Sequence, residues 1–373
     1  MTDITLEYMP EKGAPPNVHP VQRRVLNALG SLSSPLLPDD YLELINPLWS
    51  TRELRGRIEE VKRETEDAAT VLIKPGYRWP GHKPGQYCRI GVDIDGVRHW
   101  RAYSLTSDPY RKDGLIAITP KKVGGGTVSP VLVEANAGMV VGLGGIEGDF
   151  VLPDDPPDKL LFISAGSGIT PIMSMLHHLD NADAVKDIVV LHSARHTDDV
   201  IFGKELRRLA DEHEGFHLHE QLTDDHGRMG PDDLEKLCPD WQERDAYLSG
   251  PSEMLDAFTE HWENHGDCEK LHMERFQPKL GLGDGGEGEG GTIKFIESDC
   301  EVECDGDTPI LVAGEEAGLD LPYGCREGIC HTCVGELRSG KLRDLRNGDV
   351  YGNEGEVVRT CISAPEGPVE IEL

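Results

Sequence analysis

No run of apolar residues in these 373 positions approaches the ~20 that a bilayer-spanning helix needs. The N-terminal stretch MTDITLEYMPEKGAPP lacks a basic region followed by an apolar core, so no secretory leader is expected and a cytoplasmic protein is. Basic residues are scarce. There are 37 Lys and Arg against 68 Asp and Glu, a formal net charge of −31. Nucleic-acid phosphates and anionic lipid would be repelled by such a chain. The charge suits a carrier that meets a basic partner, and it equally suits plain solubility, because acids are spread along most of the sequence. With 38% hydrophobic and 28% charged residues the composition is globular. At ~100–200 residues per domain, two or three domains are expected.

Nine cysteines are an odd number in a long chain, which favours a metal site over a disulfide framework. Cys325, Cys330 and Cys333 stand in the run PYGCREGICHTC, and Cys361 follows in RTCIS. The x4 and x2 spacing with a distant fourth ligand is that of plant-type [2Fe–2S] centres. Thiolates suit the soft, iron–sulfide core. Gly324 and Gly328 let the backbone come close to it and point N–H groups at sulfur. A structural zinc site more usually shows two short-spaced pairs. Cys88, Cys238, Cys268, Cys300 and Cys304 lie outside the spacing and are read as packing or incidental thiols.

The chain divides by pattern. Residues 1–52 begin Pro-rich and carry short amphipathic stretches, a helical extension with no chemistry of its own. Residues 53–155 show short strands broken by Gly and Pro (ATVLIK, GQYCRIGV, GVRHWRAYSL, GLIAITPKK), the spacing of an antiparallel barrel, with one helix near Ser129–Ala137. Residues 156–276 alternate strand and helix (KLLFIS, PIMSMLHHL, DIVVLHS, GKELRRLADEH, DAYLSG, SEMLDAFTEHW), the pattern of an α/β parallel sheet. Residues 277–291, QPKLGLGDGGEGEGG, read as a flexible linker. Residues 292–373 form a small separate domain with strands TIKFIE and VEIEL.

Two further motifs carry chemistry. Arg101-Ala102-Tyr103-Ser104 ends a strand, where alternation puts Arg101 and Tyr103 on one side. Arg101 would meet a phosphate, and Tyr103 would lie against a ring system. Downstream, Gly124, Gly125, Gly126, Thr127 and Ser129 open the lone helix. Glycines free backbone N–H groups there, and a helix N-terminus favours a pyrophosphate. Gly166, Gly168, Thr170 and Pro171 lie between an apolar strand and a helix, where backbone can approach a dinucleotide.

With these motifs in this order, residues 54–373 resemble the ferredoxin–NADP reductase superfamily. They are similar in particular to flavin reductases with a C-terminal ferredoxin domain that serve oxygenases, hydroxylases and desaturases. The resemblance implies an antiparallel β-barrel for FAD, an α/β domain for NAD(P) and an α+β β-grasp domain for the [2Fe–2S] cluster. It implies that Arg101 contacts the flavin phosphates, that Tyr103 stacks on the isoalloxazine and that Ser104 bonds near the reactive nitrogen. Tyr103 and Ser104 would thus be the catalytic pair, and the Gly124–Gly126 turn would favour FAD over FMN. The segment Leu-Pro-Asp-Asp-Tyr-Leu resembles actinobacterial reductases paired with acyl desaturases.

At the end of the second parallel strand, Arg195 can meet the 2′-phosphate of NADPH, with Ser193 adding a hydrogen bond. A surface pairing of Arg195 with Asp198 or Asp199 is the alternative. No acidic ribose-binding residue stands there, which favours NADPH over NADH. Gly250 and Pro251 approach the nicotinamide by resemblance, after Ser249, where many relatives have Cys. Phe276 is placed near the flavin or in the core. His177, His178, His213, His217 and His219 cluster in sequence, and a solvated polar face is the commoner use of such residues. The expected protein is an NAD(P)H-dependent oxidoreductase passing electrons through FAD and the cluster to a di-iron desaturase, a hydroxylase or an oxygenase. A redox sensor or relay subunit without steady turnover is the alternative.

Overall fold

The computed structural model describes residues 45–50, 52–122, 126–276, 288–319, 321–323, 328 and 331–373. Cys325, Cys330, Gly124, Gly125, most of the expected linker and most of the N-terminal extension lie outside them. The chain divides into two compact units, Met1–Gly96 with Tyr103–Glu274, and Val97–Ala102 with Arg275–Leu373.

The first unit holds the expected barrel and parallel sheet. The antiparallel strands of the barrel are β1 (Arg55–Arg63), β2 (Ala69–Pro75), β3 (Tyr87–Ile94), β4 (Val97–Ser104, of which only Tyr103 and Ser104 group with the first unit), β5 (Ile116–Ile118) and, after helix α1 (Val128–Val133), β6 (Val140–Glu147). The sheet order is β4-β3-β6-β1-β2-β5. An antiparallel bridge from Leu105, just past β4, to Ile118 joins the two edges and closes the barrel. Asp95 and Gly96, both at positive φ, make the tight β3–β4 hairpin that such a pair favours. Ile58, Val71, Ile73, Ile90, Leu105 and Ile118 fill the interior. Helix α1 ends earlier than the sequence suggests. The Gly138 N–H goes to Ile58 O and the Ile58 N–H to Met139 O, which draws the chain back to β1.

The parallel sheet runs β11-β10-β7-β8-β9. Its strands are β7 (Lys159–Ala165), β8 (Asp187–Ala194), β9 (Phe216–Leu222), β10 (Asp245–Ser249) and β11 (Leu271–Glu274). The long helices are α2 (Ile169–Asn181), α3 (Gly203–Glu212) and α5 (Ser252–His265), with the shorter α4 (Pro231–Leu237) before β10. Near-continuous apolar runs in β7 and β8 follow from burial on both faces. Leu160 and Phe162 pack toward α2 and α3, while Leu161 and Ile163 face Trp241, Phe258 and Trp262. The chain builds outward from β7 through β8 and β9, then returns to place β10 on the other side. The topological switch point therefore lies between β7 and β10, where open α/β sheets bind ligands.

The second unit carries β12 (Gly291–Phe295), β13 (Cys300–Cys304), helix α6 (Ile310–Glu316), β14 (Val334–Ser339), β15 (Leu342–Asp344), β16 (Val350–Tyr351), β17 (Glu356–Arg359), β18 (Ser363–Pro365) and β19 (Val369–Glu372). Five strands order as β13-β12-β19-β14-β17 and three as β16-β15-β18. The central β12–β19 pair is parallel, so the N- and C-terminal strands of this domain lie side by side. The end of the expected linker belongs to this sheet. Gly291 pairs with Cys304, and a side chain at Gly291 would strike Gly367 O. The glycine there serves close approach rather than flexibility.

Candidate functional site

Two loops meet at the switch point. After β7 the chain makes a 3-10 turn, Gly166–Gly168, and enters α2. Gly166 sits at φ +54 with open space where a side chain would be. At Gly168 a Cβ would fall 2.1 Å from the Ser249 carbonyl oxygen, so only glycine fits. Across the gap, a Cβ on Gly250 would sit 3.3 Å from the Ala165 N–H nitrogen. The sequence-predicted Gly166, Gly168, Thr170 and Pro171 on one loop and Gly250 and Pro251 on the other thus meet at the switch point, where open sheets of this kind have their ligand crevice. Thr170 Oγ1 donates to Ser167 O at 2.9 Å and holds the turn.

A polar row lies along the C-terminal ends of the parallel strands. Strand register aligns Glu274 with Ser249, Ser249 with Ser164, Ser164 with His192, and His192 with Glu220. Ser164, His192 and Ser249 are fully buried. Ser164 Oγ lies 2.8 Å from His192 Nδ1, and Arg207 holds Glu220 Oε2. Four atoms of the row, Glu274 Oε2, Ser249 Oγ, His192 Nε2 and Glu220 Oε1, are buried with no hydrogen-bond partner among the described residues. Buried polar atoms are normally paired, so a row of orphans at a ligand-binding edge fits a polar ligand. Burial pushes the Glu274 carboxyl up to about 8, leaving it protonated at neutral pH. Burial, helped by the Lys121 ammonium, pushes His192 down to about 4.

A polar seam fixes this crevice against the barrel. The segment that leaves β4 docks on α2. Ser174 Oγ donates to Ser107 O at 2.8 Å and His177 Nδ1–H to Thr106 O at 2.8 Å. Asp108 takes His178 Nδ1 at 3.2 Å and Asn181 Nδ2 at 2.9 Å. Burial pushes Asp108 up, but His178, the Tyr110 N–H and Asn181 outweigh it and hold the carboxyl below the usual range. Beside the seam, Phe150 meets Tyr247 edge-on at 5.5 Å, and the Tyr247 hydroxyl donates to Val151 O at 3.4 Å.

Tyr103, half-buried, rests on the barrel core, and Ser104 is buried beside it. Arg101 donates to Trp100 O at 2.8 Å. Gly126 and Thr127 precede α1, and Ser129 is buried in its first turn. Thr127 makes no side-chain cap, which leaves the first N–H groups of α1 without that partner.

At the end of β8, Ser193 Oγ spends its proton on Gln221 O at 3.4 Å. The Arg195 side chain is 69% exposed, with Nε 3.9 Å from Asp199 Oδ2, a loose pairing that leaves the guanidinium available. Phe276 is half-buried. Four of the histidines serve structure: His177 and His178 the seam, His213 a hydrogen bond with Asp180 Oδ1 at 2.7 Å, and His219 a contact with Gln221. Glu274, Ser164 and His192 were not singled out by sequence. The only signal was a polar residue closing each apolar strand.

Of the expected cluster ligands, Cys333 and Cys361 are described, and both are buried in the core of their domain. Gly328, at φ +72, donates its N–H to Cys361 Sγ at 3.2 Å. A Cβ there would fall 2.6 Å from Ile362 Cδ1. His331, between the second and third cysteines, also holds positive φ. Cysteine donors with an N–H aimed at sulfur fit an iron–sulfur cluster.

Comparison with known proteins follows this division. Residues 60–152 match an oxidoreductase FAD-binding domain, 162–260 an oxidoreductase NAD-binding domain and 294–366 a 2Fe-2S iron-sulfur cluster binding domain. The chain is 43% identical to an NADPH oxidoreductase of Mycobacterium tuberculosis, over 95% of this chain and 93% of that one. It is 30% identical to the glycine betaine monooxygenase reductase subunit of Pseudomonas aeruginosa, over 88% and 98%. It is also 30% identical to the ferredoxin reductase component of a 3-ketosteroid-9-alpha-monooxygenase of Mycobacterium tuberculosis, over 84% and 93%. Phthalate dioxygenase reductase shares the fold, with a TM-score of 0.58 at 21% identity over 86% of this chain and 98% of that one.

Proposed function

We propose a function from the premise that the chain belongs to the ferredoxin–NADP reductase superfamily, among the reductases with a C-terminal [2Fe–2S] domain. It is an NAD(P)H-dependent oxidoreductase that uses FAD and a [2Fe–2S] cluster. These groups supply the conversion of a two-electron hydride donor into single electrons. The protein supplies binding, orientation and a dry crevice.

In our reading, Arg101 and the backbone of Gly124, Gly125 and Gly126, with Thr127 and Ser129, hold the flavin phosphates. Tyr103 supports the ring, and Ser104 presents its hydroxyl to it. Gly166, Gly168, Thr170, Pro171, Gly250 and Pro251 admit the nicotinamide end of NADPH, and Arg195 with Ser193 receives its 2′-phosphate. Glu274, protonated and unpaired, holds a proton at the crevice. Phe276 closes the end of the nucleotide domain. Cys325, Cys330, Cys333 and Cys361 hold the cluster. The electrons pass on to a partner oxygenase, hydroxylase or desaturase, in the cytoplasm, where the ligand thiols stay reduced.

The observation that carries this reading is the seam. It ties the strand of Tyr103 and Ser104 to the helix that opens at Gly166–Pro171, so two sites on different sheets keep one geometry. Orientation of reactants is worth several orders of magnitude in rate. Steady NADPH oxidation with ferricyanide or cytochrome c as acceptor tests it. Sustained turnover is expected. Reduction that stops after one equivalent of NADPH would replace the reductase with a redox sensor.

A further inference from the structure

The segment that carries Cys361 is laced to the loop that carries the other cluster ligands. Gly328 is bonded on both sides of its backbone. Its N–H goes to Cys361 Sγ at 3.2 Å, and its carbonyl accepts from Arg359 Nη1 at 2.7 Å. Between Arg359 and Cys361, the fully buried Thr360 puts both its N–H (2.9 Å) and its hydroxyl (2.8 Å) on the Cys333 carbonyl. Arg359 is fixed in turn. Its carbonyl accepts Ser363 Oγ at 2.7 Å, and Ser363 Oγ lies 2.6 Å from the Tyr351 hydroxyl.

The other described arginines of residues 292–373 are ion-paired. Arg343 pairs with Glu366, Arg346 with Asp344, and Arg338 with Glu336 and Glu372. Arg359 forms no ion pair among the described residues. Asp344 feels its charge, but that carboxylate is bonded to Arg346. The guanidinium thus stands one glycine residue from a ligand sulfur, and no carboxylate among the described residues pairs with it.

We propose that Arg359 is a positioning residue for the [2Fe–2S] cluster: by holding the Gly328 carbonyl it restrains that residue so that the Gly328 N–H stays on Cys361 Sγ, and it raises the cluster's reduction potential. The proposal rests on the cluster reading above. One-electron reduction adds negative charge to a centre that is already anionic. A donor N–H and a nearby cation stabilise the reduced form more than the oxidised one. The guanidinium suits both tasks, because its charge is permanent and its donors are held in a fixed fork.

The test uses the full-length protein loaded with FAD and cluster, in wild-type form and as Arg359→Met, Arg359→Gln and Arg359→Lys. Anaerobic redox titration followed by electron paramagnetic resonance gives the cluster potential, and flavin absorbance in the same sample gives an internal control. Iron and sulfide per chain, before and after gel filtration, give cluster retention. Arg359→Met and Arg359→Gln should lower the cluster potential and leave the flavin potential unchanged. Arg359→Lys should recover most of the shift. Arg359→Met should also lose iron and sulfide on filtration. Wild-type potentials in Arg359→Met and Arg359→Gln would overturn the proposal. If Arg359→Met retains no cluster, Arg359→Gln decides, because it keeps a donor for the Gly328 carbonyl and lacks the charge. A wild-type chain that takes up no [2Fe–2S] cluster on reconstitution would overturn the cluster reading, and this proposal with it. Unshifted variants in a clustered protein would overturn this proposal alone.

Discussion

Ser174 donates its hydroxyl proton to the carbonyl of Ser107 at 2.8 Å, three residues beyond Ser104 on one side and three beyond Pro171 on the other. That bond, with His177 to Thr106 O, couples the segment that follows Tyr103 and Ser104 to the helix that opens at Gly166–Pro171. Ser174→Ala alone should cost about 1 kcal/mol of stability, because Ser107 O keeps its bond from His82 Nε2. The double variant Ser174→Ala/His177→Ala should slow flavin reduction by about tenfold or more, since small misplacements of reacting groups are costly. Stopped-flow absorbance under anaerobic conditions measures this. The visible spectrum of the cluster should be unchanged.

Glu274 predicts a pH dependence of stability. Its folded carboxyl is raised to about 8 from a usual 4.5. Between those values the folded state binds more protons than the unfolded one, so stability falls as pH rises from 4.5 through 8. The slope has a ceiling of about 1.4 kcal/mol per pH unit for one group. Glu274→Gln should flatten that segment of the melting-temperature profile. A variant with an unchanged slope would show that Glu274 is ionised in the folded protein.

The buried imidazoles predict the opposite slope at acid pH. His82 and His192 are both pushed down to about 4, first by burial. Unfolded histidines titrate near 6.5, so between about 6.5 and 4 the unfolded state binds more protons. Stability contributed by their neutral forms is present above 6.5 and is lost as pH falls through 4. His192→Asn should make melting less acid-sensitive across that window, by differential scanning fluorimetry at fixed ionic strength.

In the proposed reading, Arg195 favours NADPH over NADH. A charge-assisted bond to the 2′-phosphate is worth ~1.5–3 kcal/mol, and less at a side chain this exposed. Arg195→Gln should raise KM for NADPH by about tenfold and leave KM for NADH unchanged. The effect should shrink at high salt. Equal rises for both cofactors would remove Arg195 from 2′-phosphate recognition.

The domain order was legible because it rests on local pattern. Continuous apolar runs in β7 and β8, Gly168 before α2, and the cysteine spacing each follow from short-range constraints. The short mixed strand LHME, which becomes β11, and helix α4 carry too little periodicity to read. The seam was invisible because its partners lie far apart, His178 and Asp108 by 70 positions. The polar row was hidden for a related reason. Glu274, Ser249, Ser164 and His192 become neighbours only through parallel register, and a lone polar residue after an apolar strand looks like an ordinary strand end. The glycines at 290–291 misled in the other direction, because composition does not separate a flexible glycine from one required by close packing.

Electrons from NADPH should reach the [2Fe–2S] cluster through the flavin of this same chain. Anaerobic mixing of the loaded protein with NADPH tests it, with flavin absorbance and the cluster's paramagnetic signal followed in parallel and Cys361→Ser as the comparison. Flavin bleaching should come first and the cluster signal should follow in the wild type, while Cys361→Ser should bleach its flavin at the wild-type rate and develop no signal. A cluster that stays oxidised after the flavin is fully reduced, or one that is reduced in protein stripped of flavin, would contradict the account.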